Sequence, residues 1–125
     1  MILADTSVWV AHFRASVPLL KRLLTDNHIL MHPWVMGELA CGTLPRRAHV
    51  LRWLARIPAA EVARDAEVLV LVDEKNLWGT GIGWIDAQLL ASALLTGCEL
   101  WTRDERLRGT AKKLGLAFIE RNLIQ

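Results

Sequence analysis

The chain has 125 residues and a mass of 14.1 kDa, enough for one hydrophobic core and too little for two, so a single domain over residues 1–125 is expected. Apolar residues form 53% of it, mean hydropathy is +0.26, and 15 Lys and Arg face 13 Asp and Glu for a net charge of +2 and a pI near 8.8. No charge-free apolar run approaches the ~20 residues of a membrane span, no signal-peptide pattern follows Met1, and the two cysteines, Cys41 and Cys98, lie in apolar segments that suit buried thiols in a reducing cytoplasm rather than a disulfide framework.

Strand-like and helix-like stretches alternate along the chain. Ile2 to Asp5 is a short apolar run, and Asp5-Thr6-Ser7 can end it and cap a helix through Val8, Trp9 and Phe13. Pro18 sits in the first turn of a helix over Leu19 to Thr25. The turn Asp26-Asn27 precedes a second strand, His28 to His32, and Pro33 opens the helix that carries Glu38. Pro45 begins a basic amphipathic stretch to about Arg56, and a longer helix is predicted from about Glu61 to Leu77. Gly79 to Gly83 reads as a flexible turn, since it lacks the lysine of a phosphate-binding loop. A strong helix, Trp84 to Thr96, ends at Gly97. A third strand over Cys98 to Thr102, a helix from Asp104 to Leu114 and a short strand from Leu116 to Ile119 complete the chain. This alternation predicts a three-layer α/β/α sandwich with a central parallel sheet, and the high apolar content predicts either two covered sheet faces or apolar surface for a partner.

Four acids stand out against that frame. Asp5 and Asp104 follow strands, where an open α/β sheet gathers its ligands. Asp86 shares a helical stripe with Leu89, Leu90, Ala93 and Leu94, and Glu38 one with Val35, Leu39 and Gly42. Helix dipoles offer each acid only ~0.3–1 kcal/mol, too little to offset the repulsion of clustered carboxylates, whereas a divalent cation can. With no convincing Cys or His ligand set, an all-oxygen site favours Mg²⁺ or Mn²⁺, ions that support phosphodiester hydrolysis. If the four acids are set aside as one site, the 15 basic residues face a much smaller acidic remainder, a charge distribution suited to a nucleic-acid backbone.

ADTSVWVAHFR, VMGELACG, GIGWIDAQLLASALLTG and ELWTRDERL, in this order, resemble the four acidic motifs of the PIN-domain ribonucleases, and within them those of the VapC toxins of type II toxin–antitoxin pairs. The likeness covers essentially the whole chain. It implies an endoribonuclease dependent on Mg²⁺ or Mn²⁺, a cognate VapB-type antitoxin that neutralises it, and a homodimer. It also implies an RNA substrate drawn from transfer, ribosomal or messenger RNA, with operator DNA reached only through the antitoxin. By the same resemblance Asp5, Asp86 and Asp104 are metal ligands, Glu38 completes the catalytic acids and acts through water, and Thr6 and Thr102 steady the acids with their hydroxyls.

Other readings attach to the same residues. Asp5 and Asp104 could be ordinary helix caps, and Glu38 a surface acid. His12, His28, His32 and His49 read as structural or surface groups. Arg46, Arg47, Arg52 and Arg56 read equally as a solvated helix face or as contacts to RNA or antitoxin. Trp9, Trp34, Trp84 and Trp101, each near an acidic motif, read chiefly as core, with base stacking by one of them as the lesser reading. The competing functions are a PIN nuclease of RNA maturation or of DNA, a non-catalytic co-repressor acting with its antitoxin, and a phosphatase with Asp5 as nucleophile. The last wants an aspartate two residues on, where this chain has Ser7.

Overall fold

In the computed structural model, which describes residues 1–121, the apolar N-terminal run forms β1 (Ile2–Ala4). It is the centre of a parallel sheet, with β2 (Ile29–Leu30) on one side and β3 (Glu99–Trp101) on the other. Leu3 pairs with Leu30 and with Leu100, and Ala4 with Trp101. Ile2, Leu3 and Ala4 are all buried, which is why β1 is apolar at every position instead of at alternate ones: a central parallel strand is covered on both faces. Single parallel bridges extend the sheet at each edge, Met31 to Ala59 and Leu100 to Ala117. The predicted last strand, Leu116 to Ile119, is reduced to the second of these. There the Leu100 amide donates to Leu116 at 2.7 Å and the Phe118 amide to Leu100 at 2.9 Å.

Seven helices flank the sheet among the described residues: α1 (Thr6–Arg14), α2 (Pro18–Thr25), α3 (Pro33–Cys41), α4 (Arg47–Leu54), α5 (Asp65–Glu74), α6 (Trp84–Thr96) and α7 (Glu105–Lys113). Their starts follow local chemistry. Proline opens α2 and α3, where a missing amide costs nothing, and the side chains of Asp5, His32 and Asp104 cap α1, α3 and α7. Gly97, at φ +73°, closes α6 in the left-handed conformation. The fold is the expected three-layer α/β/α sandwich. The end of the expected single domain, residues 122–125, lies outside the described residues.

One predicted helix is shorter than its sequence suggests. Of Glu61 to Leu77, only Asp65–Glu74 is helical; Ala59 to Arg64 runs extended beside β2 and α6. Tertiary hydrogen bonds account for the difference. The Glu61 amide donates to Thr96 Oγ1 at 2.9 Å, the Ala63 amide to Ser92 Oγ at 3.3 Å, and Gln88 Nε2 donates to the Ala63 carbonyl at 2.9 Å. Backbone groups bonded to α6 in this way are unavailable to a helix of their own. The same network reaches α3. Ser92 donates to Gln88 Oε1 at 2.9 Å and lies 3.0 Å from His32 Nε2, while His32 Nδ1 accepts the Trp34 amide at 3.1 Å. With Nδ1 an acceptor, the buried His32 ring is neutral and carries its proton on Nε2. Burial holds its pKa below the ordinary 6.5.

The helix α6 is buried continuously from Ala87 to Ala93, because α5 packs along it and β3 lies beneath it. A single core-facing stripe therefore describes it poorly, and Leu94 of the predicted stripe is 44% exposed.

Candidate active site

Asp5 continues the central strand to its carboxyl end, its amide donating to the Trp101 carbonyl at 2.9 Å. Its side chain then turns the chain into α1, with Oδ1 accepting the Val8 amide at 3.3 Å and the Ser7 hydroxyl at 2.5 Å. Ser7 Oγ also accepts the Arg103 amide at 2.9 Å and lies 3.4 Å from Thr102 Oγ1. Thr102 Oγ1 accepts the Asp104 amide at 3.0 Å, and Asp104 Oδ1 caps α7 through the Leu107 amide at 3.0 Å. An unbroken run of hydrogen bonds thus joins the turns that leave two adjacent parallel strands, at the point where strand order reverses around β1.

The other two acids arrive on helices. In α3, Val35 and Leu39 are buried and fix the helix against α1, while Glu38 stands on the exposed flank of that stripe instead of within it. There Glu38 Oε1 accepts the Thr6 hydroxyl at 2.6 Å. Asp86 is the third residue of α6 and is half-buried. Its carboxyl is pushed above the usual range first by burial and then by the negative charges of Asp104, Asp5 and Glu38, with the Gly83 amide acting the other way. Three carboxylates acting on the fourth place all of them in one electrostatic field. Asp5 is also pushed up by burial, against hydrogen bonds from the Ser7 and Thr102 hydroxyls and the Val8 and Ser7 amides.

The structure therefore brings together every acid singled out in the sequence, and both hydroxyl residues with them. The capping reading of Asp5 and Asp104 is also correct, since each spends Oδ1 on its helix; a carboxylate has a second oxygen for other work. Ser7 is the residue sequence reasoning missed. Its signal was available: a hydroxyl two residues after a strand-ending aspartate is placed to close back on that carboxylate.

Among the described residues, no three His, Cys, Asp or Glu side chains form a ready-made metal cage. The donor set nonetheless fits a hard cation. Mg²⁺ keeps several of its waters and takes only one or two carboxylates directly, and the like charge that crowds Asp86 is what a divalent ion relieves.

Several surrounding residues depart from expectation. Cys98 is buried but Cys41 is exposed, because it shares the solvent face of α3; both thiols are free. Trp9 and Trp101 are core residues with no exposed surface, whereas Trp34 and Trp84 are 40% and 38% exposed. Of the four arginines, Arg47 has a structural task, its guanidinium donating to the Ala40 carbonyl at 2.8 and 3.3 Å near the end of α3.

A parallel α/β sandwich with four carboxylates converging at the switch point beside β1 defines the class of PIN-type domains, and residues 2–113 match the family model described as "PIN domain". The chain belongs to the PIN-domain family. It is 46% identical over 121 residues to proteins named Ribonuclease VapC32 from two strains of Mycobacterium tuberculosis, CDC 1551 and H37Rv. Each alignment spans 96% of this chain and 98% of the relative, which places the chain in the VapC branch of the family.

Proposed function

We propose that this protein is the toxin of a VapBC-type toxin–antitoxin pair, an endoribonuclease that hydrolyses RNA phosphodiester bonds with Mg²⁺ or Mn²⁺. The observation that carries the reading is the run of hydrogen bonds that joins Asp5 to Asp104 through Ser7 and Thr102 at the ligand-binding edge of the sheet, beside Asp86, whose carboxyl is pushed up first by burial and then by the charges of Asp104, Asp5 and Glu38. Likeness to Ribonuclease VapC32 over nearly the full length supports RNA as the substrate.

In this reading Asp5, Asp86 and Asp104 would hold the ion, one or two of them directly and the rest through its retained waters. When bound, the ion lowers the pKa of a coordinated water and offsets negative charge on the phosphate. Glu38, held through Thr6, orients the attacking water. Ser7 and Thr102 hold Asp5 and Asp104 at a constant separation, and the turn amides of Arg103 and Asp104 are fixed by those same hydroxyls.

The VapC likeness supports a VapB-type antitoxin as the neutralising partner, with operator DNA engaged only through it. The same likeness, to a VapC ribonuclease, supports a cytoplasmic activity; separately, among the described residues no helix is long and apolar enough to cross a membrane. Exposed apolar side chains on and beside the packed α5–α6 pair, Val62, Leu69, Val70, Leu94 and Leu95, support a homodimer.

The test is incubation of the antitoxin-free protein with total bacterial RNA and Mg²⁺ or Mn²⁺, beside samples with EDTA and with Asp86→Asn. Discrete cuts that vanish in both controls are expected, and their mapped ends name the target. A folded, Mn²⁺-binding protein that leaves all RNA classes intact overturns the ribonuclease reading.

A further inference from the structure

The solvent face of α3 carries a feature that the acid cluster does not account for. Pro33, Trp34, Gly37, Glu38 and Cys41 recur at the spacing of one helical face and line an open groove of about 540 Å³. Trp34 stands one turn before Glu38 and is 40% exposed, in a chain whose Trp9 and Trp101 are fully buried. Gly37 lies between them in the helix interior, where glycine is a poorer choice than alanine. Nothing in the fold excludes a side chain there: a Cβ built on Gly37 meets no atom within 4 Å. What the glycine preserves is open space along the groove.

The chemistry of the lining narrows the occupant. Glu38 is the one charged residue among those lining the groove, so the wall repels a phosphate and accepts a neutral, flat, apolar-faced group beside an indole. Glu38 also belongs to the acid cluster through its hydrogen bond to Thr6 and its charge on Asp86, so the groove opens directly onto the site of the reaction. An unpaired nucleobase meets each condition. Its π-face stacks on an aromatic side chain without regard to sequence, and single-stranded RNA is the form in which bases are free to do so.

We propose that the α3 groove is the base-binding subsite of the nuclease. An unpaired base adjoining the scissile phosphate stacks on Trp34, and the ribose passes over Gly37, so that the phosphate itself stays outside the groove, at the carboxylate cluster. This assignment rests on the ribonuclease function proposed above. It makes Trp34 a specificity-determining residue that selects targets with an unstacked nucleotide beside the cut.

The experiment uses the Asp86→Asn protein, which binds without cutting, and single-stranded RNA oligonucleotides spanning the cut mapped with the wild type. One oligonucleotide is intact and one lacks the base next to the cut. Fluorescence anisotropy without added metal is expected to show Trp34→Ala weakening the intact oligonucleotide by on the order of tenfold, Trp34→Phe recovering most of that loss, and neither change altering affinity for the abasic one. In the otherwise wild-type protein, Gly37→Ala is expected to raise the thermal midpoint and also raise KM, with kcat little changed. Equal weakening of both oligonucleotides, or unchanged affinity for both, overturns the subsite. So does loss of antitoxin affinity in Trp34→Ala with RNA affinity intact, which would give the groove to the antitoxin. Wild-type cleavage of total RNA is scored separately, so failure of the subsite is distinct from failure of the nuclease.

Discussion

The Ser7 hydroxyl accepts the Arg103 amide at 2.9 Å across a sequence separation of 96 residues, and the same oxygen donates to Asp5 Oδ1. One small side chain therefore holds the turn after β3 against the carboxylate at the end of β1. Replacing Ser7 by alanine leaves the Arg103 amide without this acceptor and Asp5 without one of the bonds that hold its charge in place.

Ser7→Ala is expected to cost about 1 kcal/mol of stability and to lower Mn²⁺ affinity and cleavage by roughly 10–100-fold, the usual effect of removing a group that orients a metal-binding carboxylate. Calorimetric titration with Mn²⁺ beside a cleavage assay checks this. Full metal affinity and activity in the variant would show that Ser7 only ties the turn after β3 to the start of α1.

Asp86→Asn is expected to abolish cleavage and at the same time stabilise the metal-free protein. The folded-state pKa of Asp86 lies above its ordinary 3.8, so between those two values the folded state holds more protons than the unfolded one. Stability consequently falls as pH rises through that window and stays lower at neutral pH. Because Asp86 is only half-buried, screening limits the gain from Asn to about 1 kcal/mol at most, or a few degrees in Tm. A metal-free Tm at or below that of the wild type would contradict the crowding of the four acids.

Mg²⁺ or Mn²⁺ should raise the Tm of the wild type at neutral pH by the linkage expected of a ligand that binds only the folded state, about 2.7 kcal/mol at a hundredfold excess over Kd. EDTA should reverse the rise. As pH falls toward the raised pKa values of Asp86 and Asp5, protons compete for the same oxygens and the shift should shrink. A shift independent of pH, or one retained in Asp86→Asn, would place the ion elsewhere.

His32 makes the protein sensitive to mild acid. Its folded pKa is held below 6.5 by burial, so its contribution to stability is complete above about 6.5 and declines as pH falls toward the lower folded value, where the unfolded chain binds a proton that the folded ring resists. His12, also lowered by burial and by Lys21, acts in the same direction. His32→Asn retains a capping side chain for α3 but loses the bond to Ser92; it should cost roughly 1–3 kcal/mol and flatten the decline of the urea midpoint below pH 6.5. An undiminished decline would assign it wholly to other groups.

Much of the molecule was written in local sequence. The apolar run Ile2 to Ala4, the prolines opening α2 and α3, Gly97 after α6 and the caps Asp5 and Asp104 are short-range signals, because capping, proline geometry and left-handed glycine act within a few residues of themselves. The four acids were visible for a related reason: a carboxylate at a strand end or on an apolar helical stripe is costly enough to stand out.

Tertiary structure decided what depends on neighbours distant in the chain. Glu61 to Arg64 has a helical pattern but runs extended, because Thr96, Ser92 and Gln88 take its backbone hydrogen bonds. Trp34 and Trp101 are both indoles beside acidic motifs, yet one is 40% exposed and the other fully buried, since exposure depends on which helix face another element covers. Sequence determined the sheet, its helices and the acids at their junctions, where the energies are local; the clamp at Ser7, the stand of Glu38 on Thr6 and the open face of α3 came only with packing, because a hydrogen bond or a groove exists only once two remote segments have met.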